Sequence, residues 1–244
     1  MSYCFVIPNY NHIRGFRELV ISLAQFALPV IIVNDASDEA VRVQLERIEQ
    51  ELDYVELIHH QVNQGKGGAV QTGLKAAYER QFSHALQIDA DGQHDFNDIA
   101  KFLAASQSRP EEVISGAPVY DESVPKHRLY GRYITHFWVF IETWSRTLKD
   151  TMCGFRVYPL HQYMSLAQNV SLGRRMDFDI EVLVRLYWAG VKTHFIPTHV
   201  HYPQDGHSHF RGFEDNLRIS WLHTRLVFGM LMRIPLLLKN KVTQ

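Results

Sequence analysis

The first half of the chain alternates short apolar runs with longer stretches in which apolar residues recur every three or four positions. The short runs have the length of strands and end in polar or glycine-containing turns; they cover residues 3–7, 30–33, 54–58, 85–88 and 113–115. The longer stretches have the spacing of helices with one buried face; they cover residues 16–26, 39–52, 68–81 and 98–106. This alternation predicts an α/β fold in which a Rossmann-like, mostly parallel sheet is covered by helices on both faces.

The second half of the chain is less regular. Two loops are predicted, a proline-containing one over residues 117–128 and a His- and Gly-containing one over residues 197–212, which is a candidate lid. Helix patterns cover residues 130–148, which are rich in aromatics, and residues 177–189, which open with acidic side chains. Acidic side chains suit the positive end of a helix.

The C-terminal stretch over residues 226–238 is nearly all apolar, is interrupted by Arg233 and Pro235, and is followed by Lys239 and Lys241. It is too short for a bilayer span, which takes about 20 residues. Two interpretations stay open: a terminal helix packed on the core, or an amphipathic helix in a membrane interface with its basic residues against anionic lipid.

Composition narrows the possible functions. The 244 residues include 25 basic and 26 acidic ones, and this formal charge of -1 argues against a general nucleic-acid-binding protein. With 46% apolar residues the chain can bury a sizeable core. Cys4 and Cys153 lie far apart in sequence and are interpreted as unpaired thiols, which suits a reducing, cytoplasmic compartment. No basic segment precedes the first apolar run, so no secretory signal is predicted.

Polar residues follow four of the predicted strands, at residues 8–11, 34–35, 63–66 and 89–91. Ligands of parallel α/β sheets bind at the carboxyl ends of the strands, so these residues are expected to converge. Asp89 and Asp91 flank Ala90, and alternate residues of an extended segment point the same way, so both carboxylates can face one cation. Gln93 could add an oxygen ligand, and Mg²⁺ or Mn²⁺ prefers such oxygens. An isolated Asp-x-Asp is also common turn chemistry.

Candidate nucleotide contacts come from the first two strand ends. Asp35 could accept from a base or a ribose hydroxyl, because Asp38 can cap the next helix and leave Asp35 free. Tyr10 could stack on a base or simply lie in a surface turn.

Residues 63–69 form a glycine-rich turn into a helix, where the helix N-terminus and Lys66 favour phosphate. It lacks the earlier glycine and the Ser or Thr of a Walker loop, so ATP hydrolysis gains no support. A turn that serves packing alone is the alternative.

Asp177, Asp179 and Glu181 lie near a predicted helix start, where they could complement the helix dipole or take a proton from an acceptor. Four arginines are candidate clamps for a diphosphate: Arg128, Arg132, Arg156 and Arg211. The 14 histidines, some of them paired at 199–201 and 207–209, lack the matching cysteine or carboxylate spacing of a zinc site, and no zinc is expected there.

Together these motifs resemble family 2 glycosyltransferases, most of all the polyprenyl-phosphate sugar transferases of the dolichol-phosphate mannosyltransferase type. The matching stretches occur in the family's order and run from residue 5 to about residue 212: VIPNYN (6–11), VNDASD (33–38), NQGKGGAVQTGL (63–74), LQIDADGQHD (86–95), DTMCGFRVY (150–158) and FDIEVLVRLYWAG (178–190). The chain departs from the family's pattern at His12, where Glu is usual, and at 206–208, where Gly-His-Ser keeps only the outline of a Gly-x-Ser segment.

The resemblance implies a GT-A fold and an inverting transfer from a nucleotide-diphosphate sugar with Mg²⁺ or Mn²⁺. It assigns residues to four roles: Pro8, Tyr10 and Asp35 to the nucleoside; Asp89, Asp91 and Gln93 to the metal; Arg132 and Arg211 to a diphosphate or acceptor phosphate; and Asp179, with Glu181 as alternate, to the acceptor. Asp91 would connect the metal to the donor diphosphate and so take part in catalysis.

The sequence therefore predicts a catalytic domain over residues 1–212 and a helical segment over residues 213–244 that contacts a membrane or packs on the core. The acceptor is predicted to be a lipid phosphate or a glycan, and the location cytoplasmic, at the inner face of a membrane. Two alternatives remain. A sugar-nucleotide nucleotidyltransferase would need a glycine-rich basic loop where residues 8–11 stand, and a non-catalytic nucleotide-sugar-binding protein would not need the full set of carboxylates.

Overall fold

The computed structural model describes residues 1–120, 124, 126–200, 212–235 and 238. Seven strands form one sheet in the order β3-β2-β1-β4-β6-β5-β7. The strands are β1 Tyr3–Asn9, β2 Val30–Asn34, β3 Val55–His59, β4 His84–Gln87, β5 Val113–Tyr120, β6 Arg156–Pro159 and β7 Thr193–Val200. The helices are α1 Phe16–Leu23, α2 Glu39–Glu51, α3 Lys66–Glu79, α4 Ile99–Ser108, α5 Lys126–Thr143, α6 Leu160–Ala167, α7 Phe178–Trp188 and α8 Gly212–Leu231.

The predicted α/β fold is confirmed, because β1 to β4 are parallel and helices cover both faces of the sheet. Successive residues of β1 point to opposite faces. Val6 packs with α3 and α7, whereas Phe5 and Ile7 pack with α1 and α4. Strands buried on both faces have continuous apolar sequences, which explains why the sequence pattern predicted the strands of the first half.

The second half contains more regular structure than the sequence indicated. The predicted loop over 117–128 was wrong at both ends, since β5 extends to Tyr120 and α5 begins at Lys126. The predicted lid overlaps β7, which extends to Val200, and its residues 201–211 lie outside the described part of the chain. The sequence pattern did not predict β6, which is antiparallel to both β4 and β5.

Glycines let α3 lie directly on its neighbours. A Cβ at Gly73 would overlap Val6 Cγ1 and lie 3.3 Å from Val33 Cγ2, so the helix backbone rests on β1 and β2. A Cβ at Gly67 would overlap Phe178 at the start of α7. The glycine-rich turn therefore brings α3 and α7 together next to the carboxyl ends of the strands.

The helix α8 begins at the predicted domain boundary and packs back onto the fold. Leu222, Leu226 and Met230 are buried in the apolar cluster that also contains α3 and α7. Of the helices that the structure describes, none is both long enough and apolar enough to cross a bilayer.

Candidate active site

The loops after β1 and β2 are tied to each other. The Asn11 backbone N–H donates to Ser37 Oγ at 2.9 Å, and the Asp38 N–H donates to Asn11 Oδ1 at 2.7 Å. Asn11 adopts a left-handed backbone with φ of 52°, a conformation that asparagine tolerates better than most residues. Pro8 is buried in β1, and Tyr10 lies just after it with 36% of its surface exposed. The predicted convergence of the first two strand ends is thus present.

Asp35 fastens the glycine-rich turn to the end of β2. Its Oδ1 accepts from the Gln64 N–H and its Oδ2 from the Gly65 N–H, both at 2.7 Å, while His60 Nδ1 lies 2.7 Å from Oδ1. The expectation that Asp35 is free was wrong: its side chain is buried, and Asp38 makes no side-chain cap bond. Its partners are backbone groups about 30 residues away, which sequence spacing does not reveal.

Lys66, expected to meet phosphate, is paired with carboxylates. Its Nζ lies 2.8 Å from Asp89 Oδ2 and 3.1 Å from Asp179 Oδ2. Burial alone would lower the pKa of Lys66, but Asp179 and Asp89 raise it above its ordinary value. Burial would likewise raise the pKa of Asp89, yet Lys66 and His94 hold it well below the usual range. Both groups are therefore charged at neutral pH, and Lys66 joins the Asp-x-Asp segment to α7.

Asp89 and Asp91 differ in their surroundings. The backbone of Gly154 approaches the Asp89 carboxylate so closely that a Cβ there would lie 2.6 Å from Oδ1. Asp91 is exposed, and its Oδ1 accepts from the Gln93 N–H at 3.1 Å. Shielding from water by the surrounding protein raises the pKa of Asp91, and the negative charge of Asp89 raises it further. Asp91 is thus the more accessible of the two carboxylates, whereas Asp89 is held by Lys66 and the Gly154 backbone.

Asp179, the first-turn acid of α7, contacts a buried polar network. Arg156 is fully buried and donates from Nη1 to the Asp179 carbonyl at 2.8 Å and from Nη2 to the Thr151 carbonyl at 2.8 Å. Its Nη1 also lies 3.7 Å from Asp179 Oδ1, an atom that is buried without a hydrogen-bond partner. The interpretation of Arg156 as a diphosphate clamp was wrong, because no part of it is accessible.

Glu181 faces away from Asp179, since residues two apart on a helix lie on nearly opposite sides. Its Oε1 accepts from Arg185 Nε and its Oε2 from the Gly173 N–H, each at 2.8 Å. Arg225 of α8 lies 3.7 Å from Oε2. The carboxylate is fully buried in these contacts, so the geometry favours Asp179 over Glu181 as the acid near an acceptor.

The predicted arginine clamps are only partly described. Arg132 of α5 lies in a two-pronged contact with Asp150, at 3.1 Å from Nη2 to Oδ1. Burial would raise the pKa of Asp150, but the adjacent His136 and Arg132 hold it well below its usual range. Asp150 Oδ1 also accepts from the Cys153 N–H at 2.8 Å, which fixes the loop before β6. Arg211 and the side chain of Arg128 lie outside the described residues.

The outcome for the predicted residues is therefore mixed. The structure brings Asp89, Lys66 and Asp179 together, and Asp91 follows two residues after Asp89 with the Gln93 N–H bonded to it. Ala90 is almost buried between the two aspartates. Within the described ranges no three His, Cys, Asp or Glu side chains are grouped as a metal site. A resident ion there would need further ligands from a bound molecule or from water.

Comparison with known proteins gives the family. The sequence model of the family described as Glycosyl transferase family 2 matches residues 4–165. The UDP-N-acetylglucosamine–dolichyl-phosphate N-acetylglucosaminyltransferase of Methanococcus voltae is 32% identical over 170 residues, or 63% of this chain and 67% of that protein. The dolichyl-phosphate beta-glucosyltransferase of Dictyostelium discoideum is 27% identical over 199 residues, or 73% of this chain and 60% of that protein. The chain thus spans about two thirds of these curated relatives or less.

Solved structures share the fold. S. aureus TarS in complex with UDP-GlcNAc superposes with a TM-score of 0.64 at 16% identity, covering 93% of this chain and 66% of that one. Mannosyltransferase PcManGT from Pyrobaculum calidifontis, in complex with GDP-Man and Mn²⁺, superposes with a TM-score of 0.61 at 14% identity, covering 95% of this chain and 64% of that one. These neighbours confirm the predicted GT-A fold. From the family match and the common fold, we conclude that the chain belongs to glycosyltransferase family 2.

Proposed function

We propose that this chain is an inverting, metal-dependent glycosyltransferase that moves a sugar from a nucleotide-diphosphate sugar to a lipid phosphate such as a polyprenyl phosphate. The observation that carries the proposal is the contact of Lys66 with both Asp89 and Asp179. Lys66 thus connects the segment at Asp89, which is suited to a metal and a diphosphate, with the buried Asp179 carboxylate, which is suited to an acceptor. Two relatives are named as transferases acting on dolichyl phosphate, which supports a lipid-phosphate acceptor.

The residues present fit a divalent ion shared with the donor. Asp89 and Asp91 are two residues apart after β4, and burial and then the Asp89 charge raise the pKa of the Asp91 carboxyl. Mg²⁺ typically takes one or two protein carboxylates plus substrate phosphates, so two carboxylates without a third grouped ligand are sufficient. Asp89 and Asp91 would hold the ion, with Gln93 as a further candidate. When bound, the ion would supply Lewis-acid stabilisation of the charge on the departing nucleoside diphosphate.

The chain's own residues prepare both sides of the reaction. Asp35 holds the turn that begins α3, and Tyr10 offers an exposed ring for the nucleoside at the adjacent strand end. Lys66 offsets part of the negative charge of Asp89 and Asp179, which would otherwise repel an anionic acceptor more strongly. A phosphate acceptor is already anionic and needs no base, whereas a hydroxyl acceptor would transfer its proton to Asp179. Attack on the face opposite the leaving group inverts the anomeric centre.

The first experiment identifies the donor and the reaction type. The melting temperature is measured with a panel of nucleoside diphosphates, with and without Mn²⁺. The diphosphate of one nucleoside should raise it only when Mn²⁺ is present, because a ligand that binds the folded state stabilises that state. The matching sugar nucleotide is then incubated with polyprenyl phosphate. Release of nucleoside diphosphate supports the proposal. Release of pyrophosphate would instead identify a nucleotidyltransferase, and binding without turnover of any acceptor would identify a non-catalytic binder.

The second experiment tests the metal residues. Asp89→Asn and Asp91→Asn should lower turnover by about 100-fold or more while the fold is kept. Asp53→Asn is the matched control, because Asp53 is exposed and precedes β3 at the opposite edge of the sheet. Wild-type turnover in either metal-site variant would refute the assignment.

The proposal also includes the catalytic domain over residues 1–212 and a cytoplasmic location at the inner face of a membrane.

A further inference from the structure

The helix α5 turns its apolar side outward. Six large apolar side chains on it are exposed, by between 37% for Trp138 and 66% for Tyr130. They are Tyr130, Tyr133, Ile134, Phe137, Trp138 and Phe140. The inward side of the same helix carries polar groups, among them Arg132 at Asp150 and the fully buried Glu142. A surface helix ordinarily has the reverse arrangement, with its apolar stripe toward the core.

The adjacent helix α8 continues the exposed apolar area. Leu217, Trp221 and Phe228 are each more than 60% exposed, and their spacings of four and seven residues place them on one side of the helix. The two helices are held together in the interior by His223 Nδ1, 2.7 Å from Glu142 Oε1, and by the Trp138 ring stacked on the His223 ring at 6.1 Å. We call the six residues of α5 together with Leu217, Trp221 and Phe228 the aromatic surface.

The two helices and the sequence that follows α8 carry an excess of basic residues. The acidic residues of 126–143 and 212–244 are Glu142 and Asp215, which are buried, and Glu214, which is exposed in the first turn of α8. The same two segments contain eight Lys and Arg residues: Lys126, Arg128, Arg132, Arg218, Arg225, Arg233, Lys239 and Lys241. Apolar patches of this size on a soluble protein ordinarily mark an interaction site. An apolar area rich in Trp, Tyr and Phe, on segments that hold eight basic and three acidic residues, suits the interface of an anionic bilayer, where aromatic rings lie at the headgroup level.

We propose that the aromatic surface is a docking face for an anionic lipid bilayer. This inference goes beyond the proposed reaction, because docking requires neither donor, metal nor acceptor. The contact is peripheral: α5 and α8 would lie along the membrane surface with their outward side chains among the headgroups. The inward side of α5 holds Asp150 and thereby the loop before β6, so docking would bring that edge of the candidate active site close to the lipid.

The test is co-sedimentation of the full chain with vesicles of phosphatidylcholine alone or with about 30% phosphatidylglycerol, without donor, metal or acceptor. Binding should require the anionic lipid and weaken with salt, because exposed charges are screened. Tyr133→Ser with Phe137→Ser, and separately Trp221→Ser with Phe228→Ser, should each weaken binding at least about tenfold, as expected from losing two buried rings. The matched control, Val62→Ser with Tyr78→Ser, replaces exposed apolar residues elsewhere and should change binding less than about twofold.

Three results would overturn the proposal: no binding of the wild-type chain, equal binding by all variants, or wild-type self-association in sedimentation that the same substitutions abolish. The last result would assign the surface to a second copy of the chain. Circular dichroism of each variant verifies that it is folded. Transfer to detergent-solubilised polyprenyl phosphate, measured as nucleoside diphosphate release without vesicles, should be unchanged in these variants, so failure of docking is distinguishable from failure of the proposed reaction.

Discussion

Substitution of Gly154 by alanine tests the position of the Asp89 carboxylate with a single methyl group. A Cβ at Gly154 would lie 2.6 Å from Asp89 Oδ1 and closer still to Oδ2, whereas ordinary contacts begin at 3.4 Å. The φ of Gly154 lies outside the left-handed region, so alanine itself fits the backbone. The carboxylate or the loop must therefore move by about 1 Å.

The expected effects on turnover and on stability differ in size. A misplacement of about 1 Å in a catalytic group costs on the order of 100-fold in rate, or about 2.7 kcal/mol in the activation barrier. Overpacking lowers the free energy of unfolding by about 1–3 kcal/mol. The lower end applies here, because the Asp89 side chain is 19% exposed and has room to shift. The melting temperature should then fall by no more than about 4 °C.

The assay measures kcat/KM for nucleoside diphosphate release and the melting temperature of the same samples. Gly131→Ala is the matched control, since a Cβ at Gly131 on α5 meets nothing within 4 Å and alanine favours a helix. It should keep wild-type turnover and be equally or more stable. If Gly154→Ala is folded and turns over like the wild type, the Asp89 carboxylate has no part in the reaction at this position.

Three further predictions concern buried polar groups. Arg156→Met should lower the free energy of unfolding in urea by about 3–5 kcal/mol, because it removes a buried charge whose acceptors stay buried; a loss below 1 kcal/mol would contradict the network. His136 and Arg132 lower the pKa of Asp150 despite its burial. The ionised Asp150 carboxylate therefore stabilises the folded state above about pH 4, and this contribution is lost as the pH falls toward the lowered pKa of the folded state. Asp150→Asn should therefore melt lower than wild type at pH 7, and this difference should shrink below pH 4; a constant difference would refute the assignment. Burial raises the pKa of the Cys153 thiol to about 12, so a thiol reagent at pH 8 should label it only after unfolding in guanidinium.

Local pattern was sufficient for the parallel half of the fold. Each of β1 to β4 is followed by polar residues at one edge, so the proximity of Asp89 to the turn at Lys66 could be predicted from topology alone. Partners could not be predicted this way. Asp35 was expected to be free because Asp38 can cap the next helix. Its actual partners are backbone N–H groups of the glycine-rich turn, and backbone groups leave no signature in the residue types.

The second half shows why periodicity has limits. β6 is four residues long and begins with the fully buried Arg156, a residue type that sequence reasoning assigns to the surface. Its burial is tolerated because the hydroxyl groups of Ser115 and Tyr158 and the carbonyl groups of Thr151 and Asp179 accept its hydrogen bonds. In α5 the apolar spacing correctly predicts a helix, but spacing carries no information on whether the stripe faces the core or the solvent.

The reversed direction of β6 determines which parts of the chain can reach the candidate active site. In a wholly parallel sheet only segments that follow a strand arrive at the carboxyl edge, but Arg156 pairs with Gln87 at the end of β4, so the residues preceding β6 arrive there too. One side of the candidate active site is thus built by the regular strand–helix units of the first half, and the other, around Asp150 and Gly154, by the residues that precede β6. That segment also supplies Gly154, whose backbone lies against the Asp89 carboxylate, so a change of its length or composition next to Gly154 would be felt directly at Asp89.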